Sequence, residues 1–156
     1  MQYSIRLLIL TVIITALVAG CGGQPHRISG QAPLIDIDGL ERQDDRLVIT
    51  LAVRNLNDQT AEFSALGMRL NLDGEPLATA DRDRPFDIPA RSRELLRMDT
   101  TAEPSGLDRL DALGSGEHRA LRWELTADLT DHRGRERNVD NSGWLHAVPG
   151  QPNRFR

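Results

Sequence analysis

The sequence predicts an all-β fold, an antiparallel sandwich with one short helix. Strict alternation of apolar and polar side chains recurs in several short stretches, turn residues separate those stretches, and a single stretch carries helical spacing. Composition agrees with this, since 156 residues that are 39% hydrophobic and 27% charged describe one globular domain with one core. Only 4% of the residues are aromatic, so the core is expected to be assembled from Leu, Ile, Val and Met, with Trp123 and Trp144 as its two large fillers.

Taken in order, "PLIDIDGL" (33–40) is a short first strand. "RLVITLAVRN" (46–55) is the clearest second, with Leu47, Ile49, Leu51 and Val53 on one side and Val48, Thr50, Ala52 and Arg54 on the other. "GMRLNLDG" sets Met68, Leu70 and Leu72 against Arg69, Asn71 and Asp73, and its Asp73-Gly74 pair is a turn leading into "EPLATA" (75–80). "SRELLRMDTT" (92–101) is a further strand. "LRWELTADLTD" (121–131) places Leu121, Trp123, Leu125, Ala127 and Leu129 inward, and "GWLHAV" (143–148) is expected to be the last strand. Each strand is expected to keep one wet face. Between them "PSGLDRLDALGSG" (104–116) spaces Leu107, Leu110 and Leu113 by threes, with Ser105 as the expected cap, Asp108 at the third position and Gly114 as the stop. About two turns long, this helix cannot stand alone and is expected to plug one end of the sandwich.

The N-terminus points to export. A weakly positive start with Arg6 precedes an apolar run, Leu7 to Val18, that is shorter than the roughly 20 residues of a membrane-crossing helix and ends in Gly-Cys-Gly-Gly. Val18-Ala19-Gly20-Cys21 resembles the lipobox of bacterial lipoproteins. That resemblance implies cleavage before Cys21, acylation of its sulfur (a palmitate-type modification), and a permanent membrane anchor. Cys21 is the only cysteine, so no internal disulfide competes for it. Gly22 stands where a retention signal would place aspartate, so in a cell with two membranes the outer one, facing the periplasm, is favoured. The expected organisation is a signal peptide over 1–20, a lipidated flexible tether over 21–32 with a span on the order of 20 Å, the sandwich over 33–150 and a C-terminal tail over 151–156.

In the mature part, several features in sequence resemble the late embryogenesis abundant type 2 family, the water stress and hypersensitive response domain. Val53-Arg54-Asn55-Leu56-Asn57 stands where that family has a strand ending in Asn-Pro-Asn. Leu66, Leu70, Leu72, Gly74 and Leu77-Ala78 match its second strand, glycine turn and third strand, and "DIPARSRELLRM" and "LRWELTADLTDHRG" match its Ile-Pro-Ala segment and closing strand pair. The match runs from Pro33 to Val148. Leu56 departs from the family's proline, yet Asn55 and Asn57 still account for a turn, because asparagine tolerates left-handed backbone and bonds to nearby main chain. The resemblance implies a fibronectin-III/immunoglobulin-like sandwich, a link to desiccation and stress tolerance, and no catalytic residues or cofactor.

The residues themselves supply little chemistry. Histidines 26, 118, 132 and 146 lack metal-ligand pairing, so no metal is expected. "GSGEH" leaves a helix where a nucleophile elbow would enter one, and "DIDGLERQDD" lacks the spacing of a calcium loop. All 19 basic residues are Arg, and removal of residues 1–20 leaves 18 of them against 23 acids, a net charge of −5 that disfavours nucleic acid. Arg133, Arg135 and Arg137 alternate in "DHRGRERN", a wet hairpin tip and a candidate contact for anionic lipid or polysaccharide.

Together these readings predict a non-enzymatic, lipid-anchored envelope protein that protects or organises the envelope under desiccation or osmotic stress. The alternative is an adapter or acyl-ligand-binding module in an envelope assembly or lipid-handling machine, recognising an envelope protein or lipid.

Overall fold

The computed structural model describes residues 27–156. Its elements in chain order are β1 (Leu34–Gln43), β2 (Arg46–Arg54), β3 (Ala61–Leu72), β4 (Glu75–Arg82), β5 (Phe86–Ile88), β6 (Arg93–Thr101), α1 (Pro104–Gly114), β7 (Leu121–Asp131), β8 (Glu136–Leu145), β9 (Ala147–Val148) and β10 (Gln151–Phe155). The strands form two antiparallel sheets, one ordered β6-β2-β1-β10-β9 and the other β4-β3-β7-β8 with β5 also paired to β3. This is the predicted all-β sandwich with one helix.

Alternation and burial coincide where the sequence is most regular. Leu121, Trp123, Leu125, Ala127 and Leu129 all face the core, as do Leu47, Ile49, Leu51 and Val53 across from them. Burying each such Leu or Ile contributes about 1.5–3 kcal/mol. The Asp73-Gly74 turn has positive φ at both residues, 48° and 83°, the backbone that matches the twist of a two-residue hairpin.

Three departures have local causes. β2 has no wet face along most of its length, because Val48 and Ala52 are buried on the outer side as well. It lies between β1 and β6, whose longer outward side chains overtop them. β3 begins earlier than its alternation indicates, since a bulge between Phe63 and Ala65 shifts parity from Phe63 to Leu66, both buried. Ser64 occupies the bulge, and its hydroxyl donates to the carbonyls of Thr130 and Asp131. Trp144, expected in the core, is instead 63% exposed, because its neighbours Gly143 and Leu145 take the inward positions of β8.

The helix is longer than expected, 11 residues, and is capped differently. Glu103 is the N-cap without a side-chain bond, Pro104 opens the first turn, and the hydroxyl of Ser105 donates to the Pro76 carbonyl instead of to the helix. Gly116, not Gly114, is the left-handed residue beyond its end. Leu110 and Leu113 enter the core, and Gly106 lets the helix approach β4 so closely that a Cβ there would lie 2.5 Å from Leu77 Cα. An ion pair from Arg42 of β1 to Asp111 ties the helix to the other sheet. α1 thus closes the end that holds the β1–β2 and β3–β4 turns.

Residues 151–156, expected as a tail, supply β10. Phe155 pairs with Leu40 and is buried, so the last strand extends the sheet beyond β1. Two side chains also join the sheets along their sides: Asn141 of β8 donates to the Ile35 carbonyl at 2.7 Å, and the Thr100 hydroxyl of β6 donates to the Thr79 carbonyl at 2.7 Å. Both occupy main-chain groups that an unprotected edge would offer to another strand.

Candidate functional site

Cys21, the expected lipidation site, lies outside the described residues, as does His26. The chain that follows is held at the end of the sandwich opposite α1. Ile28 and Asp58 exchange main-chain and carboxylate bonds, with the Ile28 amide donating to Asp58 Oδ2 at 2.7 Å and the Asp58 amide donating to the Ile28 carbonyl at 2.9 Å. Asn57 does the same for Gln31, accepting from its amide and donating to its carbonyl, each at 2.9 Å. Arg137 adds a bond to the Gly30 carbonyl at 3.0 Å. The segment expected to be free up to residue 32 is therefore fastened from Ile28 onward. The carboxylate of Asp58 is held below its ordinary pKa, first by the Arg91 guanidinium that donates to it and then by the Ile28 amide.

The anchoring loop is itself organised by Asn55, which is 1% exposed. Its Nδ2 donates to the carbonyls of Gln59, Ile88 and Pro89, and its Oδ1 accepts from the Asn57 amide. This is the main-chain bonding role that the sequence assigns to asparagine here.

Beside this loop the three alternating arginines have different partners. Arg135 folds back, its Nε donating to Asp131 Oδ2 at 2.7 Å, and Arg137 is engaged with Gly30. Arg133 makes only a 3.3 Å contact with His132. Asp131 builds the hairpin tip: its Oδ1 accepts from the amides of Arg133 and Arg135. Those bonds, the Arg135 amide first, lower its pKa from 3.8 to about 2 against the opposing effect of burial.

The most developed surface lies elsewhere, on the outer face of the sheet formed by β6, β2 and β1. The short side chains Val48, Thr50 and Ala52 floor a valley along β2. Opposite Arg54 lie Leu34 and Arg93; opposite Ala52 lie Asp36 and Leu95; opposite Thr50 lie Gly39 and Arg97; opposite Val48 lie Glu41 and Asp99. An Arg93–Asp38 ion pair reaches across β2 and separates two clefts of about 330 and 370 Å³. Both contact Asp38 and Arg156. Glu41 is engaged by Arg154 at 4.0 Å, whereas Arg54, Arg97 and Arg156 have no ion-pair partner among the described residues. Leu34 and Leu95, 53% and 52% exposed, flank the same face. Sequence reasoning did not single out this site. The alternation Arg93, Leu95, Arg97, Asp99 was its signal, but the contributions of Arg154 and Arg156 depend on β10.

Of the remaining histidines, His146 contacts the Arg119 carbonyl and His132 contacts Glu62. Among the described residues no group of three or more His, Cys, Asp or Glu side chains could hold a metal ion. No helix among them is long and apolar enough to cross a membrane.

No family model matches the chain, and no curated protein does. Similar solved structures include a protein from Archaeoglobus fulgidus, 14% identical over 77% of this chain and 98% of the other, with a TM-score of 0.44. Another is the solution structure of AT1g01470 from Arabidopsis thaliana, 14% identical over 83% of this chain and 95% of that one, with a TM-score of 0.49. A third is the sporulation control protein Spo0M of Bacillus subtilis, 14% identical over 77% and 51%, with a TM-score of 0.41. At these identities and scores nothing about function passes from those proteins to this one.

Proposed function

We propose that this protein is a non-enzymatic envelope lipoprotein, anchored through Cys21, that protects or organises the envelope under desiccation or osmotic stress. The observation that carries this reading is a domain closed to its surroundings and fastened at its N-terminal end. The space between the sheets is filled by aliphatic side chains, Trp123, Phe63, Phe86 and Phe155; Asn141 and Thr100 close main-chain positions along both sides, and Asp58 and Asn57 fix the chain from Ile28 onward. Such a body works through its outer surface, and that surface acts where it is concentrated. With clamping at Ile28, six residues, 22 to 27, lie between the proposed anchor and the fastened chain.

Deletion of the gene, followed by drying or osmotic shock, tests the reading. Survival or envelope integrity falls in the deletion strain, returns with the anchored protein, and returns much less with an exported Cys21→Ala form at equal abundance. Full rescue by the untethered form contradicts the tethering, and an unaffected deletion strain contradicts the protective role.

A further inference from the structure

We propose that the valley along β2 is a docking groove for an extended acidic peptide segment of a partner protein, one that carries carboxylates at positions i and i+4 and an apolar side chain at i+2. The proposal goes beyond the protective reading and does not depend on lipidation.

The spacing follows from the strand. Arg54 stands at one row of the valley, and Arg97 stands opposite Thr50, four residues along β2, which places the two guanidinium rows about 13 Å apart. An extended peptide repeats its side chains on one face about every 6.7 Å. Side chains at i and i+4 therefore reach both rows, and the one at i+2 falls between them, over the Arg93–Asp38 pair that spans β2 and beside the exposed Leu95. Covering Leu95 and Leu34 removes from water two of the large apolar side chains that the fold leaves exposed.

Charge selects the partner. Arg54, Arg97 and Arg156 are uncommitted among the described residues, in a chain whose overall charge is −4. A guanidinium fork matches a carboxylate in two parallel bonds. Asp36 and Asp99 stand on the rims, so a uniformly anionic bilayer meets repulsion there, whereas a peptide presents carboxylates only at the arginine rows. The Arg93–Asp38 pair crosses the valley under the peptide and neutralises Arg93, so that guanidinium is not one of the two that the carboxylates reach.

The test uses the full chain in neutral detergent and a labelled, end-capped peptide, Ser-Glu-Ser-Leu-Ser-Glu-Ser, with a Lys-for-Glu peptide as control. Saturable binding of the acidic peptide, weakened at least about tenfold by Arg54→Glu and by Arg97→Glu, is expected, with both variants melting within about 3 °C of the parent. Arg69→Glu, on the outer face of the opposite sheet, is expected to change nothing. Amide shifts on binding are expected in β1, β2 and β6. Absence of saturable binding at millimolar peptide, equal binding of the Lys peptide, or shifts centred on the β7–β8 hairpin overturns the proposal. So does retention by phosphatidylglycerol-doped micelles that depends on Arg54 and Arg97 when the peptide does not bind, which makes the face a lipid-headgroup site.

Discussion

Gly143 of β8 lies against the indole of Trp123 on β7, so close that a Cβ on the glycine would stand 2.6 Å from Trp123 Cζ2. The missing side chain is the space that the ring fills. Gly143→Ala is therefore expected to destabilise by about 1–3 kcal/mol through overpacking, and Trp123→Ala by about 3–5 kcal/mol through the cavity it leaves. Trp144→Ala and Arg122→Ala, which alter exposed side chains on the other face, should stay within about 0.5 kcal/mol. Chemical denaturation midpoints decide this, and comparable shifts for Trp123→Ala and Trp144→Ala would reject the facing of β7 and β8.

Asn55→Ala removes a buried amide that satisfies three carbonyls and one main-chain amide. A loss of roughly 2–3 kcal/mol is expected from the groups left unpaired. Denaturant melts read it, and a loss below about 0.5 kcal/mol would mean that water replaces the amide without cost.

Asp131 gives a pH dependence with a fixed sign. Its folded pKa, about 2, lies below the ordinary 3.8, so the carboxylate stabilises the fold above about pH 4, and that contribution fades as pH falls toward 2. Asp131→Asn should lower the melting temperature at pH 7, while the gap between variant and parent narrows steadily between pH 4 and 2. A gap that is constant over that range would contradict the role of the charge.

The clamp on the N-terminal segment should be separable from folding. Asn57→Ala removes both bonds to Gln31 and a 3.0 Å bond to Asn55 Oδ1, which still accepts from the main-chain amide of residue 57, so amide exchange at Gln31 should quicken at least about tenfold with only a small change in global melting. Unchanged exchange would show that Gln31 is protected by something else.

Much of the fold was legible because the large core-facing side chains of β2 and β7 recur with a period of two. The C-terminal strand was not, since "QPNRF" contains one large apolar residue, Phe155, and a proline, and its pairing with β1 exists only in three dimensions. Hydrophobicity alone places Trp144 inside, whereas Gly143, packed against Trp123, sets the parity of β8 and turns Trp144 outward. Polar composition makes residues 28–31 look free, whereas main-chain groups of Ile28 and Gln31 bond to the side chains of Asp58 and Asn57, which composition does not reveal. The valley on the outer face combines side chains from β1, β2, β6 and β10, so no contiguous stretch of sequence contains it.

The central claim is attachment through Cys21, and mass spectrometry of the N-terminal peptide of the protein purified from native membranes tests it most directly. The account predicts a chain that begins at Cys21 and carries acyl groups on it. A processed chain with an unmodified Cys21 would contradict the account.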